Sequence, residues 1–163
     1  MKKRLIPIAM AAVMAVGSIP AAGALLDGFN NTSTYSDQFT DVPSTAWYYN
    51  SVKSAYELGI TAGTSASKFS PDQNLTTDQL TVFLARIHAA YHHNEIVEVQ
   101  NPSSWTDKYY YYVEQYIDSS YRDSIFGGRD NEQRWHFAYW ISKALPDSAY
   151  TAINNVPDGQ ILD

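Results

Sequence analysis

Three histidines near the end of a predicted helix have the spacing of a simple metal site. His88 and His92 lie four residues apart, so a helix would place both imidazoles on one face, and His93 follows directly. No glutamate stands where the H-E-x-x-H pattern needs one, and no third ligand is evident. The pattern therefore favours a solvated helix end, and we expect neither a metal site nor a cofactor.

Other residue types that perform catalysis form no recognisable pattern. The chain has no cysteine, which excludes thiolate nucleophiles, thiolate zinc sites and disulfides. It has no G-x-S-x-G motif and no glycine-rich phosphate loop, and Gly127-Gly128 is better interpreted as a turn. The 17 acidic residues are scattered along the sequence, and the carboxylate separation that a glycosidase needs is a spatial distance that a sequence does not give. We expect no catalytic residue and no enzyme activity.

Net charge argues against nucleic-acid binding. The 163 residues include 11 Lys and Arg against 17 Asp and Glu, a formal charge of −6 at pH 7. Lys2, Lys3 and Arg4 fall in a segment that we expect to be removed, which leaves 8 basic residues and a charge of −9. A general nucleic-acid binder needs a basic surface that displaces counterions from phosphates. The remaining composition, rich in Tyr and Trp, is typical of a small domain with an aromatic core.

The first 24 residues have the three parts of a secretory signal peptide. Lys2-Lys3-Arg4 precede an apolar stretch, and the segment ends in Ala22-Gly23-Ala24, an A-x-A-like cleavage site. A membrane-spanning helix is the alternative, but Gly17 and Pro20 interrupt an apolar run that is shorter than the ~20 residues of a span. We expect an exported protein with no membrane span after signal removal, and the absence of cysteine favours a bacterial envelope.

An internal repeat divides the rest of the chain. Val52 and Val113 occupy matching places 61 residues apart, while the starts of the two following helices match at 57 residues. The loop between the helices is therefore predicted to shorten by four residues in the second copy. Ile161-Leu162-Asp163 lies 122 residues after Phe39-Thr40-Asp41 and is interpreted as the beginning of a third copy.

Each copy is predicted to fold as helix, loop, helix. In the first copy Ser44 or Thr45 is expected to cap the first helix, and Gly59 to end it. Thr76 and Gln79 have the pattern of a capping box at the start of the second helix. One helix pair is too small to bury both of its apolar stripes, so neighbouring copies should pack on one another. The predicted fold class is all-α.

These motifs resemble the S-layer homology (SLH) module, whose usual pattern is F-x-D-V, W, a helix, G-I-x-G, F-x-P and I-T-R-A-E. The matching residues are Phe39-Thr40-Asp41-Val42, Trp47-Tyr48, Gly59-Ile60, Gly63, Phe69-Ser70-Pro71 and Leu75-Thr76.

The resemblance divides the chain into segments. It implies a signal peptide at 1–24, a flexible leader at 25–38, module 1 at 39–91, a linker at 92–104, a divergent module 2 at 105–146, and a lead-in with the first residues of a third module at 147–163.

The resemblance also implies an architecture and a ligand. Repeated helix-loop-helix modules pack as lobes of a helical prism, with the third lobe incomplete here. Grooves between lobes hold secondary cell-wall polysaccharide, which often carries pyruvate ketals and is attached to peptidoglycan. The family's motif arginine and glutamate, with nearby aromatic residues, serve these grooves. A guanidinium can hold the ketal carboxylate through two hydrogen bonds.

Carried over residue by residue, the motif is altered in both copies. In module 1 Thr77 replaces the arginine and Gln79 replaces the glutamate. In module 2 Arg134 keeps the arginine, and His136 replaces the glutamate. Arg134 is therefore expected to be nearly alone in holding an anionic polymer. The alternative is an ion pair with a neighbouring acid such as Glu132.

Three further residues complete the candidate ligand set. Trp47 and Trp105 are candidate stacking platforms for sugars, although large aromatics near helix starts more often belong to a core or an interface. Asp41 is a weaker candidate, because fixing the loop before the helix is its favoured role. Of the four tyrosines at 109–112, at least one must face solvent.

The expected function is non-covalent anchoring of an exported protein to the bacterial cell wall, at the cell surface or in an S-layer. Two alternatives stay open. The chain could be the N-terminal anchor of a longer envelope enzyme, such as a wall hydrolase, or a self-assembling surface-layer protein. A charge of −9 implies that an anionic polymer binds only where a local cation dominates.

Overall fold

Helices form all the regular structure in the described residues, 28–125 and 132–149, of this computed structural model. The only strand-like pairing among them is an isolated bridge between Ser65 and Lys68. The predicted all-α class is confirmed. The predicted signal peptide and nearly all of the predicted third copy lie outside the described residues. The helices are α1 (Tyr49–Glu57), α2 (Thr77–His92), α3 (Asp107–Tyr116), α4 (Tyr121–Ser124) and α5 (Arg134–Ala144), followed by a 3-10 turn at Asp147–Ala149.

Helix α1 begins without a side-chain cap. Its N-cap residue is Tyr48, whose side chain makes no capping hydrogen bond. The Ala46 N–H donates to the Pro43 carbonyl at 2.8 Å, which forms a turn directly before the helix. The predicted cap at Ser44 or Thr45 is therefore wrong, because both residues lie inside that turn and not at the first helical N–H groups.

Gly59 ends α1 as predicted. Its φ of 73° is a left-handed conformation that glycine adopts without steric cost. The Gly59 N–H donates to the Tyr56 carbonyl at 3.0 Å, and the Ile60 N–H donates to the Ala55 carbonyl at 2.9 Å. These two bonds form a Schellman motif, which satisfies carbonyl groups that the helix end leaves open.

The two copies align in a different register from the predicted one. The N-cap residues of α1 and α3, Tyr48 and Thr106, lie 58 residues apart, and this register places Trp47 on Trp105. The bond from residue 60 to residue 55 recurs from residue 118 to residue 113, again 58 residues on. The N-caps of α2 and α5 lie at 76 and 133, which agrees with the predicted 57. The predicted interval of 61 residues is wrong because the consecutive tyrosines of α3 allow several apolar alignments. The two observed intervals differ by one residue, so the predicted shortening by four residues is wrong as well.

Helix α2 begins with the predicted capping box. The Gln79 N–H donates to the Thr76 hydroxyl at 3.3 Å, and the Thr76 N–H donates to Oε1 of Gln79 at 2.9 Å. Each residue thus satisfies one free N–H group of the other, and the helix start is fixed by local sequence alone.

The two modules share one core built around α2. Leu80 and Leu84 of α2 are fully buried, as are Val113 of α3 and Tyr121 of α4, while Trp140 of α5 is 2% exposed. All five belong to one apolar cluster. The prediction that neighbouring copies pack on one another is therefore confirmed in the described residues. Of the four consecutive tyrosines of α3, Tyr111 is the one that faces solvent, as expected of at least one of them.

Residues 28–38 pack against module 1, so the prediction of a flexible leader is wrong for them. The Thr32 N–H donates to the Glu57 carbonyl at 2.8 Å. Tyr35 is 7% exposed and contacts the rings of Phe39, Tyr49 and Tyr56 edge-on or tilted. Burial of this ring offsets the conformational entropy lost by ordering a polar segment.

A histidine lies half-buried in the contact between α2 and α3. Nδ1 of His88 is 3.0 Å from the Tyr112 hydroxyl, which also accepts a hydrogen bond from the Asn94 amide at 3.2 Å. The His88 and His92 rings stack with centroids 4.2 Å apart. Burial, and to a lesser degree the neighbouring His92, lower the pKa of His88 to about 4. Protonation of His88 therefore opposes folding.

We predict that His88 makes the fold acid-sensitive between pH 6.5 and pH 4. The unfolded chain binds a proton at His88 below its ordinary pKa, whereas the folded chain resists protonation down to about pH 4, so stability falls as the pH falls. In urea unfolding at pH 7 and pH 4.5, His88→Gln should lose about 1 kcal/mol less stability than the unsubstituted chain, after allowance for solvent screening. His93→Gln, at an exposed position, is the control, and equal losses in all three proteins would contradict the prediction.

Candidate functional site

A groove of about 250 Å³ lies where the loop of module 1 meets the beginning of module 2. Module 1 contributes the loop backbone and one face of α2, and module 2 contributes the tryptophan before α3. The groove is lined by residues 60–64, 69–70 and 73–75, together with Gln79, Val82, Phe83, Arg86 and Trp105.

Two features hold the loop wall of the groove. Gly63 has a φ of 80°, and a Cβ atom there would lie 2.5 Å from the Lys68 carbonyl oxygen and 2.5 Å from the Phe39 ring. The Asp41 carboxylate accepts hydrogen bonds from the backbone N–H groups of Phe69 at 3.0 Å and Ser70 at 2.8 Å. Burial acts to raise the pKa of Asp41, but these N–H donors outweigh it, and the pKa lies below its ordinary value.

Arg86 is the cation of this groove. Its Nη2 donates to the Tyr109 hydroxyl at 3.2 Å, and its guanidinium lies 5.5 Å from the centroid of the Tyr109 ring. The side chain is therefore held in place across the contact between α2 and α3. Arg86 is not among the predicted site residues, because it lies nine residues beyond Thr77, the position at which the family motif has its arginine. The periodicity of α2 could have found it, since Gln79, Val82 and Arg86 recur at three and four residues.

Two of the predicted site residues lie at this groove. Trp105 is 67% exposed and contacts the Tyr109 ring edge-on at 6.1 Å, so one of its faces is open to a ligand. Gln79 uses its Oε1 in the capping box with Thr76. The amide NH₂ of Gln79 is not part of the cap.

Other predicted residues lie away from the groove. Thr77 is 2% exposed, which leaves no surface for a polymer. Trp47 is 62% exposed at the beginning of α1 but does not line the groove. Arg134 is exposed at the first residue of α5, on the surface of module 2. Asp41 does not line the groove but holds the backbone of two residues that do, Phe69 and Ser70. This is the loop-fixing role that the sequence favoured.

His136 belongs to a buried polar network. Trp140 Nε1–H donates to His136 Nε2 at 2.7 Å, so the other ring nitrogen carries the proton and donates to Glu132 at 2.6 Å. Glu132, 8% exposed, therefore pairs with His136, and no bond from it to Arg134 occurs among the described residues. Both ring nitrogens of His136 are occupied, which leaves none for a ligand.

Residues 28–125 and 132–149 contain neither a candidate metal site nor a candidate membrane-spanning helix. No group of three or more His, Asp or Glu side chains could hold a metal ion there. None of the helices in this part of the chain has the length and apolar character required to cross a membrane.

Comparison with known proteins identifies module 1. The model of the S-layer homology domain matches residues 38–79. This segment is an S-layer homology domain. The match contains the Asp41 loop, α1 and the capping box of α2, and it associates the chain with the cell wall or cell surface. Assignment of residues 105–146 and 147–163 to further SLH modules stays a prediction.

One relative carries a segment similar to this chain. An endoglucanase from Bacillus sp. strain KSM-635 is 37% identical over 68 residues, which make up 42% of this chain. The chain spans about 7% of the length of that endoglucanase. No solved structure matches the chain at a significant level.

We predict that Asp41→Asn destabilises the SLH domain by about 1–2 kcal/mol, because one of the two N–H groups at Phe69 and Ser70 then faces an amide NH₂ instead of an oxygen. Chemical unfolding at pH 7 would measure the loss. Asp72→Asn, at an exposed acid in the same loop, is the matched control. The lowered pKa of Asp41 implies stabilisation above its ordinary pKa that is lost as the pH falls. Equal stability of the two variants would show that the hydrogen bonds of Asp41 to Phe69 and Ser70 do not stabilise the loop.

Proposed function

We propose that the groove between the two modules binds secondary cell-wall polysaccharide and so anchors an exported protein non-covalently to the bacterial cell wall. The observation that carries this proposal is the presence of Arg86, a cation from α2, and Trp105, an exposed aromatic ring from module 2, in the lining of one groove. The SLH match at residues 38–79 supports the wall as the location. Export by the predicted signal segment at residues 1–24 is part of the proposal.

The ligand chemistry follows from the two side chains. A guanidinium has five N–H donors in a fixed plane, and Arg86 uses one nitrogen on Tyr109. Its other donors suit a carboxylate such as that of a pyruvate ketal. The ring of Trp105 offers an apolar face to the C–H side of a neighbouring sugar. Among the described residues the groove has one cationic side chain, Arg86, and the chain as a whole is negatively charged. This combination favours a polymer whose acidic groups are widely spaced.

The groove is better suited to binding than to hydrolysis. None of the described residues that line it carries a carboxylate. A glycoside hydrolase needs two carboxyl groups flanking the scissile bond, one as acid and one as base or nucleophile. We therefore propose that this part of the chain attaches and does not catalyse.

We predict that Arg86→Gln weakens binding to purified cell walls by about tenfold, since it removes one charge-assisted contact. Co-sedimentation of the secreted protein with walls would measure the effect. Arg134→Gln removes an exposed arginine outside the groove and should bind like the unsubstituted protein.

Tyr109→Phe separates ligand binding from internal packing in this experiment. It removes the hydroxyl that Arg86 contacts but leaves the guanidinium in the groove, so wall binding should persist. If Arg134→Gln lost more wall binding than Arg86→Gln, the assignment of the groove as the binding site would be wrong. If the unsubstituted protein bound equally to intact walls and to walls stripped of secondary polysaccharide, the proposed ligand would be wrong.

A second candidate is that the SLH segment anchors an envelope enzyme. The similarity to a segment of an endoglucanase favours it, because that relative combines such a segment with a much longer chain. We predict that the protein detected on cells with an antibody to α2 is then larger than 18.3 kDa, and that the reading frame continues past Asp163. A protein detected at or below 18.3 kDa would contradict the proposal that this segment anchors an enzyme in the same chain.

A further inference from the structure

Two hydroxyl groups meet on the loop wall of the groove. Thr64 and Ser70 both line the groove, and Oγ1 of Thr64 lies 2.7 Å from Oγ of Ser70. Thr64 is exposed and Ser70 is half-buried, so a ligand in the groove can reach this pair. The pair adds neutral polar chemistry to a groove whose other proposed contacts are the charge of Arg86 and the ring of Trp105.

The backbone of Ser70 has a conformation that favours glycine. Its φ is 62°, in the left-handed region, where a Cβ atom crowds the backbone. Both backbone polar groups of Ser70 are bonded: the Asp41 carboxylate accepts its N–H at 2.8 Å, and its carbonyl accepts the Gln73 N–H at 3.1 Å. These bonds hold the backbone and do not involve the side chain. A serine at a position that suits glycine therefore indicates a use for its hydroxyl.

The hydrogen bonds of the hydroxyl pair run in one direction. The Thr64 hydroxyl donates to the Lys68 carbonyl at 3.2 Å, and a hydroxyl has one proton to donate. The Thr64 oxygen therefore accepts the proton of the Ser70 hydroxyl across the 2.7 Å contact. Ser70 Oγ keeps its two lone pairs but has committed its proton, so it can serve a ligand only as a hydrogen-bond acceptor.

We propose that Ser70 is a specificity-determining residue of the groove, where its Oγ accepts a hydrogen bond from a hydroxyl group on a neutral part of the polysaccharide. This assignment rests on the proposed function of the groove. The two polar contacts differ in kind, because the Arg86 guanidinium donates and suits a carboxylate, whereas Ser70 Oγ accepts and a carboxylate has no proton to give. A polymer that carries both groups is therefore bound in one orientation, and a chain of acidic groups without hydroxyls loses the Ser70 contact.

Replacement of Ser70 by glycine tests the role of the hydroxyl. Ser70→Gly removes the oxygen but suits the backbone, so binding to purified cell walls should fall about fivefold, the loss of one neutral hydrogen bond, while the urea midpoint is unchanged or higher. Asn101→Gly is the matched control, because Asn101 has a φ of 51° but is exposed outside the groove lining, and it should bind walls like the unsubstituted protein. Equal wall binding by the two variants, or a lower urea midpoint for Ser70→Gly, would overturn the proposal.

Salt separates the Ser70 contact from the Arg86 contact. The Debye length falls from about 30 Å at about 0.01 M salt to about 3 Å at about 1 M, which weakens charged contacts only. The loss of wall binding for Ser70→Gly should therefore be the same at both salt concentrations, whereas the loss for Arg86→Gln should shrink at high salt. A loss for Ser70→Gly that shrinks in the same way would overturn the neutral contact. If Arg86→Gln weakens wall binding and Ser70→Gly does not, the proposed function stands and the Ser70 assignment is wrong; if neither does, both are wrong.

Discussion

Burial of α2 is the constraint on which the rest of this structure depends. Nine of its 16 residues are buried, and they face more than one side of the helix. Neither module alone could cover such a helix, because α1 is short and the loop of module 1 lies on only one side. Module 2 supplies the remaining surface through α3 and α5, whose buried residues join the same apolar cluster. The two modules are thus one folding unit with a common core.

The groove is a consequence of this packing. The contact between α2 and α3 is aromatic and closely packed along its length, but near the beginning of α3 it opens, because Trp105 lies outside the helix and turns away from the core. Arg86 and His88 sit along the same contact, bonded to Tyr109 and Tyr112 respectively. The groove proposed to bind polysaccharide and the His88 contact predicted to be acid-sensitive therefore both lie along the contact between α2 and α3. Changes that loosen this contact should affect both stability and binding.

Two local features were predictable from sequence, although the cap before α1 was not. The capping box at Thr76 and the glycine stop at Gly59 each depend on residues within a few positions of one another. The register of the copies was not predictable in the same way, because four consecutive tyrosines offer several equivalent apolar alignments and only backbone bonds select one. The prediction of a flexible leader was wrong because it rested on the polar composition of the segment, whereas two of its rings, Phe29 and Tyr35, pack on α2 and on module 1. Arg86 was not predicted because the family motif places its charged residues in the first turn of the helix, whereas Arg86 lies in the third turn of α2.

The position of the groove cation follows from the burial of α2. Thr77 stands where the family motif has arginine, but in this packing its side chain is 2% exposed inside the shared core. A guanidinium there would need a buried partner, at a cost of several kcal/mol without one. Arg86 lies nine residues later, about 180° around the helix, on the side that faces the groove. At the matching place in module 2 the outer face of α5 is open, so Arg134 is tolerated there. The arginines of α2 and α5 therefore lie on different surfaces, and of these two only Arg86 lines the groove together with Trp105.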